Sequence, residues 1–183
     1  MMTTKKYQIV YADPPWPVEK IIRRVRPNQT AMDYPTMSLT DIRNLGIDLS
    51  PYIADDCKLF LWTTHKYLPE AFGVMVAWGF KYQRTITWDK QNGMCLFGFH
   101  HRTEFLLFGY RGKIAMYPHQ KAFPTIVVAK SSRHSEKPQI FRDLIEPFGE
   151  PRIELFARQK VDGWSSWGNE VENDINIKGV DDD

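Results

Sequence analysis

A chain of 183 residues, 43% apolar and 25% charged, is long enough to close one hydrophobic core without disulfide or metal staples. The mixture is that of a soluble globular protein: it holds no repeat, no low-complexity stretch, and no run of the roughly 18 apolar residues that a membrane span needs. A formal net charge of +2 is too small to announce a nucleic-acid binder by itself, although basic residues gather in Glu19–Arg26, Tyr110–Lys113, Ala129–His134 and Ala157–Lys160.

The start MMTTKKYQ lacks the apolar core of a signal peptide, and Cys57 and Cys95 stand alone without C-x-x-C or metal-ligand spacing. Two buried thiols, a reducing and cytoplasmic setting and no metal centre are the expectation. One domain over residues 1–172 is expected, followed by an acidic tail, 173–183, closing in Asp-Asp-Asp.

In chain order, QIVYA (8–12) reads as a strand buried on both faces, because a short unbroken apolar run suits a parallel sheet covered by helices. A charge-rich loop runs from Pro17 to Thr36. SLTDIRNLG then reads as a helix capped by Ser38, with Leu39, Ile42 and Leu45 inward and Gly46 as its stop. KLFLWTT is the next strand, and LPEAFGVMVAWGF a helix opened near Pro69 and closed near Gly79. YQRTITW, TEFLLFGY and TIVVA are further strands, with a loop over Lys90–Thr103. KPQIFRDLIEPFG is a helix with Ile140, Leu144 and Ile145 on one side, and RIELFA closes as a strand. Strands alternating with helices predict an α/β fold, a mostly parallel sheet flanked by helices. Ligands of such sheets bind beyond the carboxyl ends of strands, where Asp13 stands.

The first strand runs directly into Asp13-Pro14-Pro15-Trp16. Proline fixes φ and has no N–H, so the two prolines form a rigid turn whose carbonyl oxygens are expected to lack local partners. With the ionised Asp13 carboxylate they make a set of acceptors suited to a planar NH2 group. An exocyclic amine on an aromatic ring is a weak nucleophile because its lone pair is delocalised. Acceptors on both N–H bonds would favour a pyramidal nitrogen, and Trp16 can stack on the ring. The plainer alternative is a stiff strand-to-loop turn with a surface indole.

Four segments in order, ADPPW (12–16), YPTMSLTDIRNL (34–45), SEKP (135–138) and IELFAR (153–158), with a closing WGNEV (167–171), resemble the N6-adenine methyltransferase family of the eukaryotic messenger-RNA adenosine methyltransferase catalytic subunit and its bacterial and phage members. The resemblance implies a Rossmann-like methyltransferase fold with S-adenosylmethionine as donor and adenine N6 in a nucleic acid as acceptor. The family's motif order is permuted, the catalytic tetrapeptide preceding the cofactor strand, and this order is present here.

Carried over position by position, Asp13, Pro14, Pro15 and Trp16 are the catalytic motif, with Asp13 also near the cofactor's amino group. Tyr34 lies in the loop near the target base. Lys137 matches a lysine for the cofactor's carboxylate, and an ammonium there has the right charge; without the family it reads as an exposed lysine at a helix start. Glu154 matches an acid near the ribose hydroxyls, and as a carboxylate inside a strand it needs a donor, for which Arg158 is the candidate. Phe156 and Arg158 lie in the same cofactor segment, and Asn169 and Glu170 match a ribose-contacting pair. Glu170 stands where many relatives have Gln. Family members that bind the cofactor's adenine upstream of the catalytic strand have no counterpart in the six residues before Tyr7, so a different adenine pocket is expected. His134 reads as a loop histidine rather than a base.

DNA is the favoured substrate, by likeness to compact bacterial and phage members, with RNA as the alternative. Selection of sequence is expected from the loops 17–36 and 90–103, or from a homodimer or partner subunit. A non-catalytic partner subunit, or an enzyme for another planar amine, are the competing classes.

Overall fold

The computed structural model describes residues 6–17, 36–114, 122–130 and 136–177. The strands are β1 (Tyr7–Ala12), β2 (Ile53–Thr63), β3 (Lys81–Leu96), β4 (Phe99–Arg111), β5 (Ile126–Val128), β6 (Arg152–Leu155) and β7 (Ser165–Trp167), and the helices α1 (Leu39–Leu49), α2 (Leu68–Ala77) and α3 (Ile140–Ile145). The strands form one sheet in the order β5-β3-β4-β2-β1-β6-β7. Every neighbouring pair is parallel except those that β4 makes with β2 and β3. This is the mostly parallel sheet that the alternating pattern predicts, in the Rossmann-like form that the family resemblance implies.

Period-two alternation explains why the central strands carry no polar face. Val10, Ala12, Leu59, Leu61, Leu107, Ile153 and Leu155 point into one layer, which α1 and α2 cover through Ile42, Leu45, Leu49, Ala71, Val74 and Met75. Ile9, Tyr11, Phe60, Trp62, Leu106 and Phe108 point into the other, against Phe141 and Ile145 of α3 and Trp164. Each fully buried large side chain contributes roughly 1.5–3 kcal/mol, so burial on both faces fixes these strands at the sheet centre.

Ser38 caps α1, its Oγ accepting from the Asp41 N–H at 3.1 Å. The helix does not stop at Gly46 but runs on to Leu49. Gly46 is instead the crossing point with Trp78, whose Nε1–H donates to the Ile42 carbonyl at 2.7 Å. A Cβ on Gly46 would lie 2.5 Å from Trp78 Cδ1 and 2.9 Å from its Cα. Gly46→Ala is therefore expected to lose about 1–3 kcal/mol by overpacking, although alanine favours an isolated helix by about 1 kcal/mol. Urea denaturation checks this, and a midpoint at or above wild type contradicts it.

Four more expectations are corrected. Helix α3 is a short segment that turns Phe141 and Ile145 inward and leaves Ile140 exposed, because Phe141 fills the space between Trp62 and Trp88. Residues 90–103 form a β-hairpin, not a loop. Cys57 is buried, its thiol pushed up to about 12 by desolvation, but Cys95 is exposed. The tail does not begin at Asn173: Ile175 and Ile177 are buried in the core, and Asp174 accepts from the Ser166 N–H at 2.8 Å. Among the described residues no helix is long and apolar enough to cross a membrane.

Candidate active site

From β1 the chain crosses through α1 to β2 on one side, while β6, the other neighbour of β1, leads to β7 on the far side. This reversal falls at the carboxyl ends of β1 and β6, the place where ligands of open α/β sheets bind. Asp13 is the first residue past β1 and Phe156 the first past β6.

The Asp13 side chain is 29% exposed, and its Oδ2 accepts from Lys137 Nζ at 2.8 Å. Lys137, only 9% exposed, also donates to Glu104 Oε2 at 3.3 Å, and Glu104 Oε1 accepts from Lys90 at 3.1 Å. Charges thus alternate along Asp13, Lys137, Glu104 and Lys90. Burial works against the Lys137 ammonium, but Asp13 and Glu104 outweigh it and hold its proton more tightly than usual. Burial likewise pushes the Glu104 carboxyl up, and the two lysines overcome it and keep it below its ordinary value. The ammonium also stands 5.1 Å over the Trp62 ring.

Two expectations for the tetrapeptide change. The proline carbonyls have local partners: Pro14 accepts from the Trp16 N–H at 2.8 Å and Pro15 from the Met37 N–H at 2.9 Å. The turn is closed by its own backbone, and each oxygen keeps one lone pair. Trp16 is not an open stacking face either. It is 7% exposed, stacks on Tyr67 at 5.6 Å between centroids, and donates from Nε1 to the Trp62 carbonyl at 3.1 Å. The stiff turn sends a large apolar ring back into the core, where burial is worth more than exposure.

Glu154 has a donor, but it is Arg142 rather than Arg158. The guanidinium grips it with both arms, Nε to Oε2 at 3.0 Å and a terminal nitrogen to Oε1 at 2.8 Å. Arg142 also lies 5.7 Å from the Tyr11 ring. Desolvation disfavours its charge, yet Glu154 reverses this and raises its proton affinity. Burial and the nearby Glu154 raise the Tyr11 phenol, so it stays neutral and accepts from Trp62 Nε1 at 2.8 Å. Arg158 instead approaches Glu170 at 3.9 Å, both half-exposed.

Phe156 takes a left-handed φ of 61°, and its ring meets Trp167 edge-on at 5.4 Å. A Cβ on Gly168 would stand 2.3 Å from the Ala157 carbonyl oxygen, so glycine is required where the ends of β6 and β7 touch. The exposed Asn169 and Glu170 come next in the chain. Tyr34 and His134 lie outside the described residues. The structure therefore gathers Asp13 with Lys137, and sets Phe156, Asn169 and Glu170 at the ends of the adjacent strands. Sequence reading missed Glu104, Lys90 and Arg142. A charged residue opening the apolar run of TEFLLFGY was the available signal for Glu104, while Arg142 offered none.

A seven-stranded, mostly parallel Rossmann-like sheet with an acidic turn at the end of β1 is consistent with a methyltransferase. The chain belongs to the MT-A70 family, whose model matches residues 7–170. It is similar to the type II methyltransferase M.MunI of Mycoplasma sp, 32% identical over 94% of this chain and 82% of that protein. It also resembles the N(6)-adenosine-methyltransferase catalytic subunit METTL3 of Homo sapiens, 29% identical over 91% of this chain but 28% of that one. The MT-A70-like protein of Drosophila melanogaster is 27% identical, again over 28% of its own length. The chain is thus a methyltransferase of a family that modifies adenine N6, spanning most of the Mycoplasma relative and about a quarter of the eukaryotic ones.

Proposed function

We propose that this methyltransferase carries a methyl group from S-adenosylmethionine to N6 of adenine in DNA, with Asp13 as the acceptor that orients the amine. The carrying observation is Asp13 at the carboxyl end of β1, partly exposed and braced through one oxygen by a buried ammonium. A carboxylate held this way need not reorganise as positive charge develops on the nitrogen. Asp13 takes one N–H of the amine, and a remaining lone pair of a proline carbonyl takes the other. The nitrogen lone pair then faces the donor, positioning supplies much of the rate, and the methylated, cationic nitrogen sheds one proton to water to leave the neutral N6-methyl amine. The Trp16–Tyr67 stack acts as a fixed wall of the turn.

The residues present fit the cofactor. The Lys137 ammonium has three N–H bonds, and with Asp13 and Glu104 taking two, one is left for a carboxylate. Asn169 and Glu170 offer polar partners for ribose hydroxyls, Phe156 gives an apolar edge, and the nearby Arg158 holds Glu170. Glu154, with each oxygen bonded to Arg142, serves to lock β6 to α3. When bound, S-adenosylmethionine supplies an electrophilic methyl on a sulfonium that departs as a neutral thioether.

DNA is supported by the 32% identity to a type II methyltransferase, against 29% to the human adenosine methyltransferase subunit. The adenosine methyltransferases among the relatives favour RNA as the second reading. Mass spectrometry of nucleosides, after incubating DNA and RNA oligonucleotides of the same sequence with labelled cofactor, separates them. N6-methyldeoxyadenosine is expected. Label in RNA alone moves the substrate to RNA, and label in neither removes the proposal.

A further inference from the structure

Three strands end in one row. Ala12 of β1 lies opposite Leu155 of β6, and Leu155 lies opposite Trp167 of β7. Asp13, Phe156 and Gly168 are therefore the first residues past three neighbouring parallel strands. Neighbouring strands lie about 4.8 Å apart, so Gly168 stands roughly 10 Å from Asp13 across the strand ends, an extent that a nucleoside-sized ligand covers.

The chain beyond Gly168 is drawn into a closed loop. The Gly168 N–H donates to the side-chain Oδ1 of Asn173 at 2.7 Å, which pins the two ends of the stretch 169–172 together. The next residue repeats the fastening on the strand itself. The Asp174 N–H donates to the Ser166 carbonyl at 2.9 Å, and the Asp174 carboxylate accepts from the Ser166 N–H at 2.8 Å and from its hydroxyl at 3.2 Å. Ile175 and Ile177 then anchor the chain in the core, and the Tyr52 hydroxyl donates to the Asn176 carbonyl at 2.9 Å.

The loop is also held from the side. The Ala157 N–H donates to the Trp167 carbonyl at 3.0 Å, so the segments leaving β6 and β7 are joined at their roots. From the basic cluster at 157–160, Arg158 approaches Glu170 at 3.9 Å and Lys160 bonds Asp174 at 3.2 Å. The Ser166 N–H and the Lys160 ammonium hold the Asp174 carboxyl below its ordinary value, so this anchor is ionised at neutral pH.

What is fastened is not core. Asn169, Glu170 and Glu172 are exposed, and so is Asn173, which belongs to neither hydrophobic cluster. Exposed loop residues ordinarily sample many conformations, and ordering them opposes folding. A loop fixed in advance has that cost removed from the step in which it meets a ligand. The Asn173 bond thus secures the course of the backbone just ahead of Asn169 and Glu170, which is what support of a binding pair requires.

We propose that Asn173 is a positioning residue for the cofactor: by holding the Gly168 N–H it fixes the loop that presents Asn169 and Glu170 to the ribose hydroxyls of S-adenosylmethionine. The inference rests on the cofactor reading above and adds to it a residue that acts through others. Asn173→Leu keeps the volume and removes the acceptor, whereas Asn173→Asp keeps an oxygen in its place. Calorimetry on the whole protein, without nucleic acid, measures binding of S-adenosylhomocysteine and of an analogue lacking both ribose hydroxyls.

Asn173→Leu is expected to bind S-adenosylhomocysteine about tenfold more weakly than wild type, and Asn173→Asp to stay within about twofold of wild type. Removing the ribose hydroxyls should weaken wild type about tenfold and Asn173→Leu by less than about threefold, because displaced partners have little left to lose. Equal losses for both ligands in Asn173→Leu, or equal losses in the two variants, overturn the proposal. So does an Asn173→Leu chain that circular dichroism shows to be unfolded, since the bond would then support the fold and not the loop. Wild type that binds no S-adenosylhomocysteine sinks the cofactor reading itself. Wild type that binds it and is matched throughout by Asn173→Leu sinks only the role of Asn173.

Discussion

Asp13→Ala is expected to lower the methylation rate by at least about 10²–10³-fold, the usual loss when one preorganised group at a developing charge is removed. The site offers few substitutes, because both proline carbonyls spend a lone pair on the turn itself. Lys137 keeps Glu104 as a partner at 3.3 Å, so it is not left as an orphaned buried charge. The cost in stability should stay at about 1–3 kcal/mol, the loss of one charged hydrogen bond. Steady-state rates beside circular dichroism and urea melts separate chemistry from folding. A folded variant that retains wild-type turnover would end the catalytic role of this carboxylate.

The largest loss of stability is expected at Arg142→Ala, about 3–5 kcal/mol. The pair with Glu154 is bidentate and the two side chains are 8% and 13% exposed, so deleting the guanidinium strands a carboxylate inside the sheet. Replacing both partners, Arg142→Met with Glu154→Leu, should recover most of that loss, since no buried charge is left over. Urea denaturation of the single and double variants measures the difference. If the pair only locks β6 to α3, the double variant also keeps its affinity for S-adenosylmethionine by calorimetry. A single variant as stable as the double would show the pair to be solvated and weak.

Much of the fold was legible in local chemistry. Unbroken apolar runs such as Leu59–Trp62 can be satisfied only between two helical layers, and Ser38 announced the start of α1. The errors share one cause, which is that distant packing overrides local preference. Gly46 reads as a stop because nothing nearby in sequence shows Trp78 crossing there. Phe-Gly is poor turn chemistry, so the hairpin at residues 90–103 reads as a loop. In the site, Asp13 and its rigid turn were visible, and so was the need of Glu154 for a donor. The identity of that donor was not, because Arg158 is nearer along the chain while α3 delivers Arg142 through space. Trp16 was misread for a similar reason, its partners Trp62 and Tyr67 being brought in by the next strand and its following turn.

The Met37 N–H meets the Pro15 carbonyl at 2.9 Å, so the two flanks of the intervening stretch are stitched together at its base. The turn that carries Asp13 is thereby tied to the entry of α1, so strand and helix together fix the place of the carboxylate.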